Sequence, residues 1–347
     1  MAFNLLRRLC SYDDLDISVI LLNGGKLADG LVDRGIPVHV INEHQYSFPK
    51  IAGQIRNMAA QDPPHLIHSH RYKENFLAFL ASRFRDGIKL VSTQHGLPEF
   101  HGKTASVNAR IISSVNFLVL SRNFTTVAVS ADIHNALVSR FGFRKEGVEI
   151  IHNGINLPDS RLSPPERGNF VIGSSGRLFP VKDYPLMVDI ATAVVSGNHG
   201  NVRFELAGDG PERQSLETRA AHLGVKDRFD FKGHVDDMDS FYQGLDLYIN
   251  TSLHEGIPMT ILEAMGHGLP IIAPAVGGIT EIIEDGKEGF LIDTRNPQDF
   301  AEKCLLLKND RELWERMSRA ALEKAERCFS AEIMAEKYYR LYKRITG

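Results

Sequence analysis

The chain has 347 residues, of which 43% are hydrophobic and 24% are charged. Both fractions are ordinary for a globular protein and exclude a disordered, collagenous or coiled-coil chain, and the length predicts about two domains. The net charge of −3 argues against a dedicated nucleic-acid-binding protein, because such proteins usually carry a clear basic excess.

The first half of the chain alternates short apolar runs with helical patterns. After an opening helix over residues 3–9, buried strands are predicted at residues 17–22, 38–41, 66–68, 89–93 and 126–130. Helical patterns lie at residues 54–60, 75–83 and 108–122. Alternation of strands and helices is typical of parallel β/α units.

The second half repeats this alternation after residues 157–168, whose proline-rich and polar composition suits a linker between domains. Strands are predicted at residues 170–174, 203–207, 229–232, 247–250 and 271–273. Helices are predicted at residues 184–195, 212–223, 238–244, 259–265 and 300–307, and the charged stretch 311–345 is predicted to be helical.

These patterns predict an α/β fold of two doubly wound, Rossmann-like domains that face a cleft. We expect an N-terminal domain at residues 1–157, a second domain at 158–330, and a C-terminal helix at 331–347 that packs back on the first domain. In doubly wound domains, ligands bind at the carboxyl ends of the strands.

The cysteines Cys10, Cys304 and Cys328 lack metal-binding spacing and are typical of free thiols in a reducing compartment. No apolar block of a signal peptide follows the first residues, so the sequence predicts a cytoplasmic protein. Peripheral contact with the inner face of the cell membrane through the N-terminal domain is a further expectation, because residues 108–122 mix apolar side chains with arginines. For that segment we favour a helix packed in the core over membrane contact.

The strongest chemical signal is a pair of glutamates, Glu255 and Glu263, with a helix predicted to start between them near Pro258. Eight residues at about 1.5 Å rise span roughly 12 Å, and the free N–H groups at a helix start can hold phosphate. The two carboxylates could bind hydroxyl groups at both ends of a ligand with phosphate in its middle, as in a nucleotide-sugar. Two capping or surface glutamates would give the same pattern.

Arg177 and Lys182 form a second signal, in the predicted loop after the strand at residues 170–174. Cations held there can clamp a diphosphate and stabilise the charge on a leaving phosphate, although a solvated basic loop is the alternative. The turn at 208–211 matches only the start of a dinucleotide-binding fingerprint. We interpret Asp237 and Asp239 as part of a helix start rather than a metal site.

Histidines concentrate in the first half of the chain. His68 and His70 flank a predicted strand end, and Arg71 and Lys73 follow it. We take His70, Arg71 and Lys73 as candidates for contact with an acceptor, which would be anionic if the two cations take part. Structural histidines and a solvated basic face are the alternatives.

The motifs together resemble a known family. In order along the chain stand Asn153-Gly154-Ile155, Gly176-Arg177 with Lys182, Gly208-Asp209-Gly210-Pro211, Phe231-Lys232-Gly233-His234-Val235, Glu255-Gly256-Ile257-Pro258 with Glu263-Ala264-Met265, and Gly277-Gly278-Ile279 with Glu281. This ordered set resembles the retaining family-4 glycosyltransferases of the GT-B fold. The resemblance covers nearly the whole chain and is most specific from residue 153 to 289.

The resemblance implies a role for each matching residue. Glu255 would bind hydroxyls of the donor sugar, Glu263 would bind the donor ribose, and Arg177 with Lys182 would hold the diphosphate. The implied catalytic residues are these two cations, Glu255, and His95 of Thr93-Gln94-His95-Gly96, which would face the donor sugar. The implied donor-binding residues are Gly176, Arg177, Lys182, Gly233, His234, Val235, Glu255, Gly256, Ile257, Pro258, Met259 and Glu263.

The implied activity is transfer of a hexose from a nucleotide-sugar, expected to be UDP-linked, to a glycan or lipid-linked acceptor, with retention and without metal or cofactor. Synthesis of cell-surface polysaccharide or lipopolysaccharide is the implied setting. Two alternatives stay open. One is a non-catalytic or truncated nucleotide-sugar-binding subunit that supports a partner enzyme, and the other is a GT-B sugar-nucleotide epimerase.

The chain departs from the family at its start. Members usually have a strand and a turn with two glycines before the helix that residues 3–9 resemble. A shortened form of an active enzyme and a natural short form both fit this departure. Because removal of a central strand exposes backbone groups on both neighbours, we expect the first domain to be poorly stable.

Overall fold

The structure, a computed structural model, describes residues 1–83, 86–96, 107–158, 168–197 and 201–347. The side chains of residues 107–113 and nearly all of the predicted linker at 157–168 lie outside the described residues. The chain divides into two compact units. Unit 1 comprises Met1–Gly154 and Ala331–Gly347, and unit 2 comprises Ile155–Ser330.

Unit 2 is built on a six-stranded sheet. Its strands are β7 (Phe170–Ser175), β8 (Val202–Ala207), β9 (Phe229–Gly233), β10 (Leu247–Ile249), β11 (Ile271–Pro274) and β12 (Gly289–Ile292). Their order in the sheet is β12-β11-β10-β7-β8-β9, and every neighbouring pair is parallel. The order reverses between β7 and β10, and such a reversal opens a crevice at the carboxyl ends of the two strands.

Strands β7, β10 and β11 are buried on both faces because helices cover both faces of a parallel sheet. The helices are α7 (Tyr184–Ser196), α8 (Arg213–His222), α9 (Met238–Gln243), α10 (Met259–Gly266), α11 (Ile279–Ile282), α12 (Pro297–Asn309) and α13 (Arg311–Cys328). Helix α7 packs against α12, and α10 packs against α13. Leu247, Tyr248 and Ile249 of β10 are fully buried.

The described residues of unit 1 contain six parallel-paired strands in two sheets. The strands are β1 (Val19–Leu21), β2 (Val38–Val40), β3 (Leu66–Ser69), β4 (Lys89–Gln94), β5 (Thr125–Ala128) and β6 (Val148–Ile150). Strands β1 and β2 form one sheet, and β3-β4-β5-β6 form the other. The two sheets share one apolar cluster, to which Ile20 of β1 and Ile67 of β3 both contribute.

The helices of unit 1 are α1 (Ala2–Leu9), α2 (Lys26–Val32), α3 (Phe48–Gln61), α4 (Tyr72–Ser82), α5 (Val107–Asn123), α6 (Ala131–Phe141) and α14 (Ala331–Thr346). Helix α14 packs against α1, and Leu5 and Leu9 of α1 share a buried cluster with Tyr338 and Leu341 of α14. The C-terminal helix therefore belongs to the core of unit 1, although more than 170 residues of unit 2 precede it.

The predicted α/β architecture of two units with parallel sheets is confirmed. The helical stretch predicted at 311–345 is two helices, because the chain leaves α13 at Phe329 and Ser330 and α14 then begins in the other unit. Strands β6 and β12 and helices α2, α6 and α11 were not predicted. Strand β6, for example, offers only two apolar residues around Glu149, too weak a pattern to separate from a loop.

Helix α5 is the segment for which membrane contact was expected. Its Val115 and Leu118 are 41% and 49% exposed, whereas Phe117 and Leu120 are buried. Both faces are thus partly apolar, and peripheral membrane contact stays a prediction. Among the described helices, none is long and apolar enough to cross a bilayer.

Candidate functional site

The site in unit 2 lies at the carboxyl ends of β7 and β10. Gly176 directly follows β7, and the loop at residues 250–258 connects β10 to α10. Because β7 and β10 are parallel neighbours, both loops emerge at the same edge of the sheet. The two strongest motifs of the sequence therefore meet at the reversal point of the strand order.

Lys182 and Glu255 contact each other directly. Lys182 ends a short 3₁₀ turn (Pro180–Lys182), and its Nζ donates to Glu255 Oε1 at 2.5 Å. The hydroxyl of the buried Ser252 donates to the same oxygen at 2.6 Å. Among the described residues, nothing donates to Glu255 Oε2. The carboxylate is thus fixed through one oxygen and offers the other to a ligand.

Arg177 lies on the exposed side of the same loop. Its guanidinium stacks over the Phe179 ring, with 5.2 Å between the carbon Cζ and the ring centroid. In the described part of the chain no carboxylate pairs with Arg177, whereas Lys182 has its Glu255 partner. Arg177 is therefore the cation of this loop whose charge is open to an anionic ligand.

Arg295 ties the loops of the site together, and sequence reasoning missed it. It donates to the backbone oxygens of Thr251 and Ser252, at 2.5 and 3.1 Å, and to the carboxylate of Asp183. Asp183 has a φ of 46°, in the left-handed region. Arg295 has no sequence motif of its own, since its partners lie 43 to 112 residues away.

Glycines in the motifs serve close backbone packing. A Cβ atom on Gly208 would lie 1.9 Å from the Gly176 oxygen, and one on Gly278 would lie 1.7 Å from the Gly256 oxygen. The 208–211 turn thus supports the loop that carries Arg177, which agrees with its interpretation as a turn. The Gly277-Gly278 pair supports the loop that carries Glu255, and Gly278 N–H also donates to the Glu255 carbonyl at 3.0 Å.

Helix α10 begins at Met259, with Pro258 as an extended N-cap residue and Ile257 buried beside it. The first N–H groups of a helix have no acceptor within the helix, so this helix start directs donors toward a ligand next to Gly256. Glu263 lies on the same helix, and its Oε2 accepts a hydrogen bond from the Tyr242 hydroxyl at 2.9 Å. Burial raises the pKa of Glu263, and the Tyr242 bond acts in the opposite direction.

Gly233 is the last residue of β9, two strands away from β7 in the sheet, and His234 and Val235 follow it. Gly233 accepts a backbone hydrogen bond from Gly208 at 2.7 Å, which joins this segment to the 208–211 turn. The His234 ring is exposed and lies 3.2 Å from an Asp236 carboxylate oxygen. These three residues thus lie at the same carboxyl edge as the two main loops.

Asp237 caps helix α9. Its carboxylate accepts from the Ser240 backbone N–H at 3.0 Å and from the Ser240 hydroxyl at 2.6 Å. These bonds lower the pKa of Asp237. The interpretation of residues 237–239 as a helix start is confirmed.

Unit 1 brings three histidines together at the carboxyl ends of β3 and β4. His70 Nδ1 lies 3.1 Å from His95 Nε2, and the centroids of the tilted His68 and His70 rings are 4.3 Å apart. His68 also bonds the Tyr342 hydroxyl at 2.6 Å and the Thr93 hydroxyl at 2.8 Å. Desolvation lowers the pKa of His68 to about 3 and lowers the pKa of His70 and His95 as well. The rings are therefore neutral at pH 7, each with one donor and one acceptor nitrogen.

The two predicted acceptor-side cations differ in their surroundings. Lys73 pairs with Glu43, whose carboxylate also accepts from Asn23 at 2.8 Å. Arg71 is exposed at the start of α4, and no described carboxylate pairs with it. Of the two, Arg71 has the charge that is open to an anion.

Comparisons with known proteins match each half of the chain to a protein family. Residues 1–158 match the family described as Glycosyltransferase Family 4, and residues 159–324 match the family described as Glycosyl transferases group 1. A D-inositol 3-phosphate glycosyltransferase of Geodermatophilus obscurus is 28% identical over 76% of this chain. The chain spans 64% of the length of that relative.

Two solved structures share the GT-B fold of this chain. Anabaena HepE in complex with UDP-glucose has a TM-score of 0.85 and 23% identity, over 99% of this chain and 96% of HepE. The lipopolysaccharide outer core galactosyltransferase WaaB has a TM-score of 0.74 and 17% identity, over 98% of this chain and 94% of WaaB.

Proposed function

We propose that this chain, which belongs to the group 1 glycosyltransferases of family 4, transfers a sugar from a UDP-linked donor to a hydroxyl group of a glycan or lipid-linked acceptor, with retention and without a metal ion. The observation that carries the proposal is the Lys182–Glu255–Ser252 cluster at the reversal point of the strand order in unit 2. It places a cation and a half-satisfied carboxylate where the fold binds ligands.

The diphosphate is assigned to the loop after β7 and the start of α10. Arg177 and Lys182 supply two positive charges, and the first N–H groups of α10 supply donors that also favour an anion. Charge-assisted bonds of this kind stabilise a leaving phosphate more strongly than they stabilise the intact donor. The two cations and the helix start can together take the place of a metal ion.

The sugar and the ribose are assigned to the two glutamates. Glu255 Oε2 has no described donor and is open to hydroxyls of the donor sugar. Glu263 Oε1 is open in the same way, because only its Oε2 accepts from Tyr242. An ionised carboxylate only accepts hydrogen bonds, so both glutamates select ligands with hydroxyl groups.

Retention is assigned to a front-face transfer. The acceptor hydroxyl attacks the anomeric carbon on the face from which the phosphate leaves, and a phosphate oxygen accepts the hydroxyl proton. The neutral His95 of unit 1, with a donor nitrogen at pH 7, is assigned to a hydroxyl of the donor sugar. The product keeps the configuration of the donor, which the anomeric coupling constant of the product measures.

The choice of UDP draws on HepE, whose structure contains UDP-glucose. The setting in cell-surface polysaccharide or lipopolysaccharide synthesis draws on the fold shared with WaaB. The inositol phosphate in the name of the Geodermatophilus relative makes a phosphorylated polyol the acceptor class to test against glycans and lipid-linked sugars. The exposed Arg71 is the residue of unit 1 whose charge suits a phosphorylated acceptor.

The first test is thermal shift of the chain with UDP, GDP, ADP, UDP-glucose, UDP-N-acetylglucosamine and GDP-mannose. A ligand at 100 times its Kd stabilises the folded state by about 2.7 kcal/mol, so UDP and at least one UDP-sugar are expected to raise Tm. Glu263→Ala and Arg177→Ala are expected to abolish the shift. Lys226→Ala, on an exposed lysine of unit 2, is the matched control and is expected to keep it.

Other outcomes separate the competing functions. No shift with any nucleotide contradicts the proposed donor site. UDP-sugar binding without transfer to any acceptor favours a binding subunit, and conversion of the UDP-sugar to an epimer without an acceptor favours an epimerase. Loss of transfer in EDTA that added metal restores contradicts metal independence.

A further inference from the structure

Tyr242 of helix α9 is a buried residue that lies outside the family motifs identified in the sequence. It is 1% exposed, and its hydroxyl donates to Glu263 Oε2 at 2.9 Å. Desolvation raises the pKa of Tyr242 well above its ordinary value, so the hydroxyl keeps its proton at all physiological pH values. The residue is thus a permanent donor toward one oxygen of the ribose-binding carboxylate.

The hydroxyl of Tyr242 is itself held in place. It lies 3.0 Å from the Ser175 hydroxyl, and Ser175 is the last residue of β7, directly before the phosphate-binding loop. Since Tyr242 gives its proton to Glu263, the Ser175 hydroxyl is the donor in this second bond. The bonded sequence Ser175–Tyr242–Glu263 therefore joins the start of the phosphate loop to the side chain on α10.

The helix that carries Tyr242 is fixed at its start by the Asp237 cap. Only six residues long, α9 depends on such local bonds for a defined position. The aromatic ring is also enclosed, since it lies 5.1 Å from the His267 ring and 6.0 Å from the Tyr248 ring between centroids. Tyr242 is thus a rigid donor, as a group that orients another side chain needs to be.

We infer that Tyr242 is a positioning residue for donor recognition: its hydroxyl holds Glu263 Oε2 so that Oε1 is presented to the ribose hydroxyls of the donor. The inference rests on the proposed function, which assigns the ribose to Glu263. A carboxylate with a fixed orientation discriminates ligands with and without the matching hydroxyl, whereas a rotating carboxylate does so less well. The expected consequence is ribose selectivity rather than general nucleotide affinity.

The experiment compares UDP with 2′-deoxy-UDP and 3′-deoxy-UDP by isothermal titration calorimetry. The wild-type chain is expected to bind UDP at least about tenfold more tightly than the weaker deoxy analogue. In Tyr242→Phe, UDP affinity is expected to fall about tenfold while affinity for that analogue stays constant, so that the discrimination disappears. Tyr248→Phe, in a buried tyrosine that bonds Ser175 but not Glu263, is the matched control and is expected to keep the discrimination.

The outcomes distinguish the inference from the proposed function. A wild-type chain that binds no nucleotide overturns the proposed function itself. UDP binding with equal loss for all three nucleotides in Tyr242→Phe, or with no loss at all, overturns only the inference. If Tyr242→Phe does not fold, Ser175→Ala, which removes the donor to the Tyr242 oxygen, is expected to reduce the discrimination, and unchanged discrimination there overturns the inference.

Discussion

Replacement of Lys182 by alanine is expected to lower kcat for sugar transfer by about 10²- to 10³-fold, the effect of removing one preorganised donor from a developing anion. The negative charge on the phosphate grows as the glycosidic bond breaks, so an ammonium group beside it stabilises the transition state more than the bound donor. KM for the donor is expected to change much less than kcat. The measurement is UDP release with the acceptor that the panel identifies.

The structure sharpens this prediction because Lys182 also touches Glu255. The side chains of Lys182 and Glu255 are only 21% and 13% exposed. Alanine at 182 leaves Glu255 with Ser252 as its remaining described donor. The losses in Lys182→Ala and Glu255→Ala are therefore expected to be non-additive in the double variant. Fully additive losses, or a rise in KM at unchanged kcat, would contradict a joint role in the transition state.

Lys226→Ala is again the matched control, because Lys226 is an exposed lysine of the same unit. Its kcat is expected to equal that of the wild-type chain. Thermal melting of Lys182→Ala separates a catalytic loss from a folding defect. A melting temperature close to that of the wild-type chain together with the fall in kcat assigns the loss to chemistry.

The sequence predicted the parts of the site that are local in the chain. One helix start brings together Glu255, Pro258 and Glu263, and one loop carries Arg177 and Lys182. The proximity of the residues within each group could therefore be predicted from their spacing in the sequence. The contacts that orient these groups could not be predicted. Tyr242 meets Glu263 across 21 positions, and Arg295 meets Asp183 across 112. Such pairs depend on how helices pack on the sheet, which periodicity does not specify.

The difference between local patterns and distant contacts also explains which elements of the fold could be predicted. Strand β7 begins with an apolar run and β8 alternates apolar with charged residues, and both were predicted within one residue of their bounds. The pattern of α14 alone does not assign this helix to unit 1, because its charged amphipathic pattern continues that of α13. Its buried face, with Tyr338 against Thr93 at 2.7 Å between hydroxyl oxygens, became clear only from the structure.

The two glutamates of the proposed donor site have similar surroundings. Each has one oxygen fixed by a hydroxyl group of a buried residue, Ser252 for Glu255 and Tyr242 for Glu263. Each then has its second oxygen open among the described residues. This arrangement lowers the conformational freedom that the carboxylate must lose when it binds a hydroxyl group, which is the benefit of preorganisation.

Mild acid is expected to destabilise unit 1 through His68. The pKa of His68 is lowered from 6.5 to about 3 in the folded chain because desolvation disfavours the imidazolium ion. Below pH 6.5 the unfolded chain therefore binds a proton that the folded chain does not. The free energy of unfolding falls as the pH decreases from 6.5 to about 3. At about 1.4 kcal/mol per pH unit, His68 alone contributes a loss of about 2 kcal/mol between pH 6.5 and pH 5.

The measurement is the free energy of opening of β4 and β5, from amide hydrogen exchange at pH 7 and pH 5 with correction for intrinsic exchange rates. The one tryptophan, Trp314, lies in unit 2, so its fluorescence reports on the other unit. His68→Gln is expected to reduce the difference between the two pH values by about 2 kcal/mol. His39→Gln, on an exposed residue of β2, is the control and is expected to leave it unchanged. Equal pH dependence in His68→Gln and the wild-type chain would show that His68 takes up its proton without unfolding. Desolvation would then not be what keeps the ring neutral.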